Sequence, residues 1–174
     1  PLSFLMIDGA GDPNTSADYA SAVEALYSTS YALKFMIRKA DGIDYAVMPL
    51  EGLWWADDMT TFVARRKGEW RWTMMILQPE PITPEHVRAA VDQVVTNKGL
   101  ARAADLRFET YHEGQSLQIL HVGSYDAEAP TLARLHDEVM PARGLTFNGR
   151  HHEIYLSDPR RTAHGPTESL RREL

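Results

Sequence analysis

What most constrains this chain is the alternation of two hydrophobic periods, each cut off by strong turn residues. Leu2 to Asp8 is a short apolar run that ends at Gly9-Ala10-Gly11-Asp12-Pro13-Asn14, a strand running into a turn. Thr15 or Ser16 then caps a helix whose apolar residues Tyr19, Val23, Leu26 and Tyr27 recur at helical spacing, with Leu33 and Phe35 extending it to about Arg38. Ile43 to Leu50 reads as a strand closed by Pro49 and Glu51-Gly52, and Trp70 to Leu77 as another. Thr83-Pro84-Glu85 opens a helix with its stripe at Val87, Val91, Val94 and Val95, and Gly99 stops it. Leu106 to His112 and Leu117 to Val122 read as a hairpin around Glu113-Gly114-Gln115-Ser116. A last helix carries Leu132, Leu135 and Val139 up to Pro141, and His151 to Leu156 forms a strand before Ser157-Asp158-Pro159. Glu168 to Leu174 reads as a short terminal helix.

The order β-α-β-β-α-β-β-α-β, with strands returning after short turns, predicts an α+β fold with a largely antiparallel sheet rather than a parallel nucleotide-binding one. An internal echo accompanies it. Met6-Ile7-Asp8-Gly9 and its helix resemble Leu120-His121-Val122-Gly123 and its helix, which suggests a duplicated strand–turn–helix module. At 174 residues the chain is the size of one domain, taken as 1–174. A chain opening at Pro1 leaves room for an upstream segment.

Composition narrows the function. The absence of cysteine excludes a disulfide framework, a thiolate nucleophile and a finger-type zinc site, and points to a reduced compartment, taken as the cytoplasm. The net charge of −6 lacks the electrostatic footprint of a nucleic-acid binder and favours cationic ligands. No apolar run approaches the roughly 20 residues of a spanning helix, so no membrane partner is expected.

Two constellations carry chemistry. All four tryptophans, Trp54, Trp55, Trp70 and Trp72, fall within one short stretch. Trp70, Trp72 and Met74 share one face of a strand. The rings either fill the core or wall a pocket that holds planar or cationic ligands by stacking and cation–π contact. In His151-His152-Glu153-Ile154-Tyr155-Leu156, His151, Glu153 and Tyr155 project to one side. If Ile154 and Leu156 pack under helices, the polar trio faces the opposite side of the sheet; the plainer alternative is a solvated edge strand. A glutamate among aromatic rings would be desolvated and able to act as a base or as a counter-charge. The seven histidines show no ligand spacing on a helix face, so no metal is assigned, although His112, His121 and His151 could approach one another across strands. Gly9-Ala10-Gly11 has Asn14 where a dinucleotide fingerprint needs its third glycine, and no cofactor is assigned. The basic runs Arg65-Arg66-Lys67 and Arg160-Arg161 read as solvated turns.

The stretches Phe4 to Asn14, Leu50-Glu51-Gly52-Leu53-Trp54-Trp55, Trp70 to Ile76 and His151 to Thr162 together resemble the GyrI-like small-molecule-binding family, closest to its stand-alone members. The resemblance implies duplicated strand–helix–strand–strand modules forming a largely antiparallel sheet, helices on one face and a central ligand groove. It implies bulky planar or cationic hydrophobic small molecules as partners, as in multidrug binding. In some stand-alone members it implies hydrolysis of the strained ring of cyclopropanoid genotoxins, a detoxification. On this resemblance the family's glutamate and tyrosine match Glu153 and Tyr155, the candidate catalytic pair of a cyclopropyl hydrolase-type enzyme, and its tryptophan pair matches Trp54 and Trp55; Trp72, Tyr111, His121 and His151 complete the candidate ligand-binding set. The rival reading is a non-catalytic sink or sensor for cations, and a third is a domain that sequesters a macromolecule. The chain departs from the family at His164-Gly165-Pro166.

Overall fold

The computed structural model describes residues 1–57, 66–123, 127–146 and 150–156, and the backbone of 167–173. The elements in chain order are β1 (Leu2–Ala10), α1 (Ala17–Asp41), β2 (Leu50–Trp55), β3 (Arg71–Leu77), α2 (Pro84–Lys98), β4 (Arg107–Tyr111), β5 (Leu117–Gly123), α3, β6 (His151–Tyr155) and β7 (Thr167–Glu173). Here α3 is three abutting segments, Ala129–Ala133, a π-helical Arg134–Val139 and Met140–Ala142. The fold is α+β with antiparallel strand pairing. The strand–helix–strand–strand order occurs twice, as β1-α1-β2-β3 and β5-α3-β6-β7, and in both runs the first strand pairs antiparallel with the last.

The chain forms two compact units. In the first, residues 1–48 and 55–112, β1 pairs with β3 from Phe4↔Leu77 to Ala10↔Arg71 and with β4 from Leu2↔Tyr111 to Met6↔Arg107. Helix α1 starts where the Ser16 hydroxyl accepts from the Tyr19 amide at 3.2 Å and ends at Gly42, whose φ of 70° suits a residue without Cβ. Its buried stripe runs through Val23, Leu26, Leu33 and Ile37, and Leu5, Ile7, Met74, Met75 and Ile76 are likewise fully or nearly fully buried. Ala25 of α1, Val94 of α2 and Ala103 form one apolar cluster. Asp8 ties this unit's polar rim together: the Thr73 hydroxyl donates to it at 2.6 Å and the Arg107 guanidinium at 2.7 Å.

Helix α2 opens with a reciprocal cap. Thr83 Oγ1 accepts from the His86 amide at 3.3 Å, and His86 Nδ1 accepts from the Thr83 amide at 3.2 Å. Thr83→Ala is expected to lower the unfolding free energy by about 1 kcal/mol in urea titrations, with the slope unchanged. An unchanged midpoint would show that the cap contributes nothing.

In the second unit, residues 49–54 and 113–174, β2 pairs with β6, β6 with β7 and β7 with β5, all antiparallel.

Five expectations are corrected. The strand foreseen over Ile43–Leu50 is irregular until Pro49, and β2 begins only at Leu50, beyond that residue's missing donor. Glu51-Gly52, expected as a turn, is therefore inside a strand, with Gly52 opposite Glu153. The expected β4–β5 hairpin is replaced by distant partners, β1 for β4 and β7 for β5. The terminal segment is strand β7 rather than a helix, because β5 and β6 present ladders to both of its edges. Finally, α3 passes through Pro141. The Met140 amide bonds to the Leu135 carbonyl, a π-type step that shifts the ladder just ahead of the proline. The motif residues Ser157 to Thr162, together with Arg65 and His164-Gly165-Pro166, lie outside the described residues.

Candidate functional site

The site is built on β6 and its neighbour β2. Alternation puts His151, Glu153 and Tyr155 on one face of β6, and the register sets Trp54, Gly52 and Leu50 opposite them. Side chains across a register pair share a face, so Trp54 joins the trio and Gly52 leaves no side chain opposite the carboxylate. His121 on β5 stands opposite Ser169, which stands opposite Tyr155, so His121 shares that face too. Its Nδ1 lies 3.1 Å from the Thr131 hydroxyl of α3. The helix thus comes onto the same face as the trio. The condition under which the trio would face away from the helices is not met, since Leu156 on the other face is exposed.

The hydrogen bonds form a directed chain. An indole N–H can only donate, so the phenol oxygen of Tyr155 accepts from Trp54 Nε1 at 3.0 Å. The phenol proton then goes to Glu153 Oε2 at 2.6 Å, the short distance of an O–H donor on a carboxylate. His151 Nε2 stands 3.0 Å from Oε1, so the two carboxylate oxygens are held from both sides. Trp54 is 4% exposed, Tyr155 7% and the Glu153 side chain 13%, which makes the carboxylate the accessible end of an otherwise buried chain. Such an arrangement fixes a carboxylate's orientation and leaves it able to accept a proton or to face a cation.

Of the residues expected in the site, Trp54, His121, His151, Glu153 and Tyr155 lie on this one face. Trp55, half-buried, follows Trp54 on β2 and points the opposite way. Trp72 and Tyr111 belong to the first unit. Trp72 is fully buried, edge-on to Tyr19 at 5.2 Å and packed over Gly9, while Tyr111 meets Phe4 edge-on at 6.3 Å. Trp70 precedes β3, and the Lys67 ammonium sits 5.8 Å over its ring. Among the described residues no group of three or more His, Cys, Asp or Glu side chains is arranged to hold a metal, and no helix is long and apolar enough to cross a membrane.

The sequence reading missed the other face of β6. There His152 is 1% exposed, with Nε2 2.9 Å from Glu51 Oε2 and Nδ1 2.5 Å from Glu113 Oε1. The adjacent histidines were a usable signal, since two neighbours on a strand must serve two faces.

Comparison with known proteins agrees with this architecture. The model of the GyrI-like small-molecule-binding domain matches residues 1–170. No curated protein matches the sequence significantly. Among solved structures, an uncharacterized conserved protein from Listeria innocua is similar at 32% identity and a TM-score of 0.89, over 99% of this chain and 87% of that one. A hydrolase from Listeria innocua is similar at 32% identity and a TM-score of 0.83, over 99% and 86%. A second structure of a hydrolase from that organism gives 31% identity and a TM-score of 0.85 over the same shares. With a family match along nearly its whole length and the strand–helix–strand–strand order present twice, the chain belongs to the GyrI-like small-molecule-binding family.

Proposed function

We propose that this GyrI-like domain binds planar hydrophobic molecules against the Glu153 face of β6 and hydrolyses the cyclopropane ring of those that carry one conjugated to a dienone. The observation that carries this reading is the partly accessible Glu153 carboxylate, oriented by the Trp54–Tyr155 chain, with a glycine opposite it on β2. The similarity to two hydrolase structures supports it.

The chemistry asks little of the protein. Water attacks the methylene carbon and a carbon–oxygen bond forms. The cyclopropane carbon–carbon bond breaks, and its electron pair moves through the dienone onto the carbonyl oxygen, making the ring aromatic. Glu153 accepts the proton that water loses, and the new phenolate takes up a proton. Tyr155 holds Glu153 in place. Trp54 acts here through Tyr155, since its indole is buried and its N–H committed.

A non-catalytic sink for planar cations is the second reading, favoured by the same carboxylate and the net charge of −6. Incubation with a cyclopropanoid dienone, followed by loss of its absorbance, separates the two. Catalysed ring opening supports hydrolysis. Tryptophan quenching by planar cationic dyes without turnover supports the sink. Neither effect across a panel of both compound types would sink both readings.

A further inference from the structure

A neutral imidazole carries one donor and one acceptor nitrogen, whereas His152 has a carboxylate oxygen at hydrogen-bond distance from each. With a neutral ring, one nitrogen lone pair would face a carboxylate oxygen at 2.5 or 2.9 Å with no proton between them. The contact therefore calls for an extra proton, at a ring that is itself 1% exposed. Glu51 is buried in β2, and Glu113 lies in the segment just ahead of β5, its side chain only 11% exposed. Two stretches far apart in sequence thus meet on one ring.

We infer that Glu51, His152 and Glu113 form a clasp closed by an imidazolium, which fastens the segment ahead of β5 to the β2–β6 ladder and opens at alkaline pH. Among the described side chains, Glu51 from β2 and Glu113 from the segment before β5 bring charge to the ring, and on β7 its register neighbour is Arg172. Neighbours on its own strand, His151 and Glu153, are on the opposite face. Burial pushes the His152 ring toward neutrality, but the hydrogen bonds and charges of Glu113 and Glu51 outweigh it and hold the ring protonated above the ordinary histidine range. The sign follows from linkage. Stability from a raised histidine is complete below the pKa of the unfolded chain and is lost as pH rises through the folded value. Losing the proton leaves an acceptor nitrogen against a buried carboxylate, so the clasp repels where it had held.

The test is a pH titration of the whole protein by nitrogen-15 NMR of the histidine rings, with amide hydrogen exchange of residues 113–117 in parallel. At neutral pH both His152 nitrogens are expected to carry protons, with deprotonation above the ordinary histidine range. Exchange at 113–117 should then accelerate about 10- to 100-fold beyond the normal pH dependence as the ring deprotonates. Glu113→Gln should bring the titration down toward the ordinary range and accelerate the same amides at neutral pH, while the rest of the protein keeps its protection. His152→Gln, uncharged, should abolish the alkaline step. A neutral His152 ring at pH 7, or segment exchange that ignores the ring's titration, would overturn the inference. Both readouts are independent of any ligand and of the function proposed for Glu153.

Discussion

Glu153→Gln is expected to slow cyclopropane opening by about 10²- to 10⁴-fold, the usual range for removing a general base, while affinity for a neutral substrate changes little. The amide keeps the size of the carboxylate but cannot accept the water's proton. It also presents an NH₂ group either to the Tyr155 hydroxyl, which donates to Oε2, or to the His151 ring, whose Nε2 lies against Oε1. Single-turnover absorbance and equilibrium quenching, run on the same variant, keep chemistry apart from binding. Wild-type turnover in this variant would remove Glu153 from the mechanism. Reduced affinity for cationic dyes in a protein without turnover would instead identify a counter-charge. Tyr155→Phe tests the support: it removes the phenol donor and leaves the buried Trp54 N–H without that acceptor. A loss of about 1–3 kcal/mol in stability should therefore accompany its slower turnover.

The second large effect lies in the first unit. A Cβ added to Gly9 would fall 2.1 Å from Trp72 Cη2 and 2.2 Å from Cζ2, far inside contact distance. Trp72 is fully buried and edge-on to Tyr19, so the ring has no room to swing away. Gly9→Ala is expected to cost about 1–3 kcal/mol or more as overpacking, and Trp72→Ala about 3–5 kcal/mol as a cavity. The indole nitrogen of Trp72 is buried without a hydrogen-bond partner among the described residues. Its removal relieves that penalty and places the second figure toward its lower end. The pair should also be non-additive: with the ring gone, the extra methyl has space, so the double variant is more stable than the sum of the single losses. Denaturant titrations of the four proteins measure the coupling, and strict additivity would mean that the two positions do not meet.

How much of this was legible in the chain depends on the range of each cause. Ser16, Thr83, Gly42 and Gly99 bound their helices through contacts within a few residues, and those helices stand close to where capping and periodicity put them. The apolar alternation of Leu2–Asp8 and of the Trp70 region likewise yields β1 and β3. Errors arose where a local signal met a distant partner. Glu51-Gly52 has the composition of a turn but is paired with Ile154 and Glu153, and Glu113-Gly114-Gln115-Ser116 has the composition of a hairpin loop between strands that bond elsewhere.

The site divides in the same way. Alternation along His151–Tyr155 is a property of any extended chain, so the shared face of His151, Glu153 and Tyr155 was determined by sequence alone. Their motif also carried the family resemblance. Which partners meet them was decided only by tertiary structure: Trp54 on the phenol, Gly52 opposite the carboxylate, Glu51 and Glu113 on the hidden histidine. The reason is that register between strands a hundred residues apart is set by burying whole faces together. A one-residue slip in that register would exchange the two faces of β6 and every contact on them.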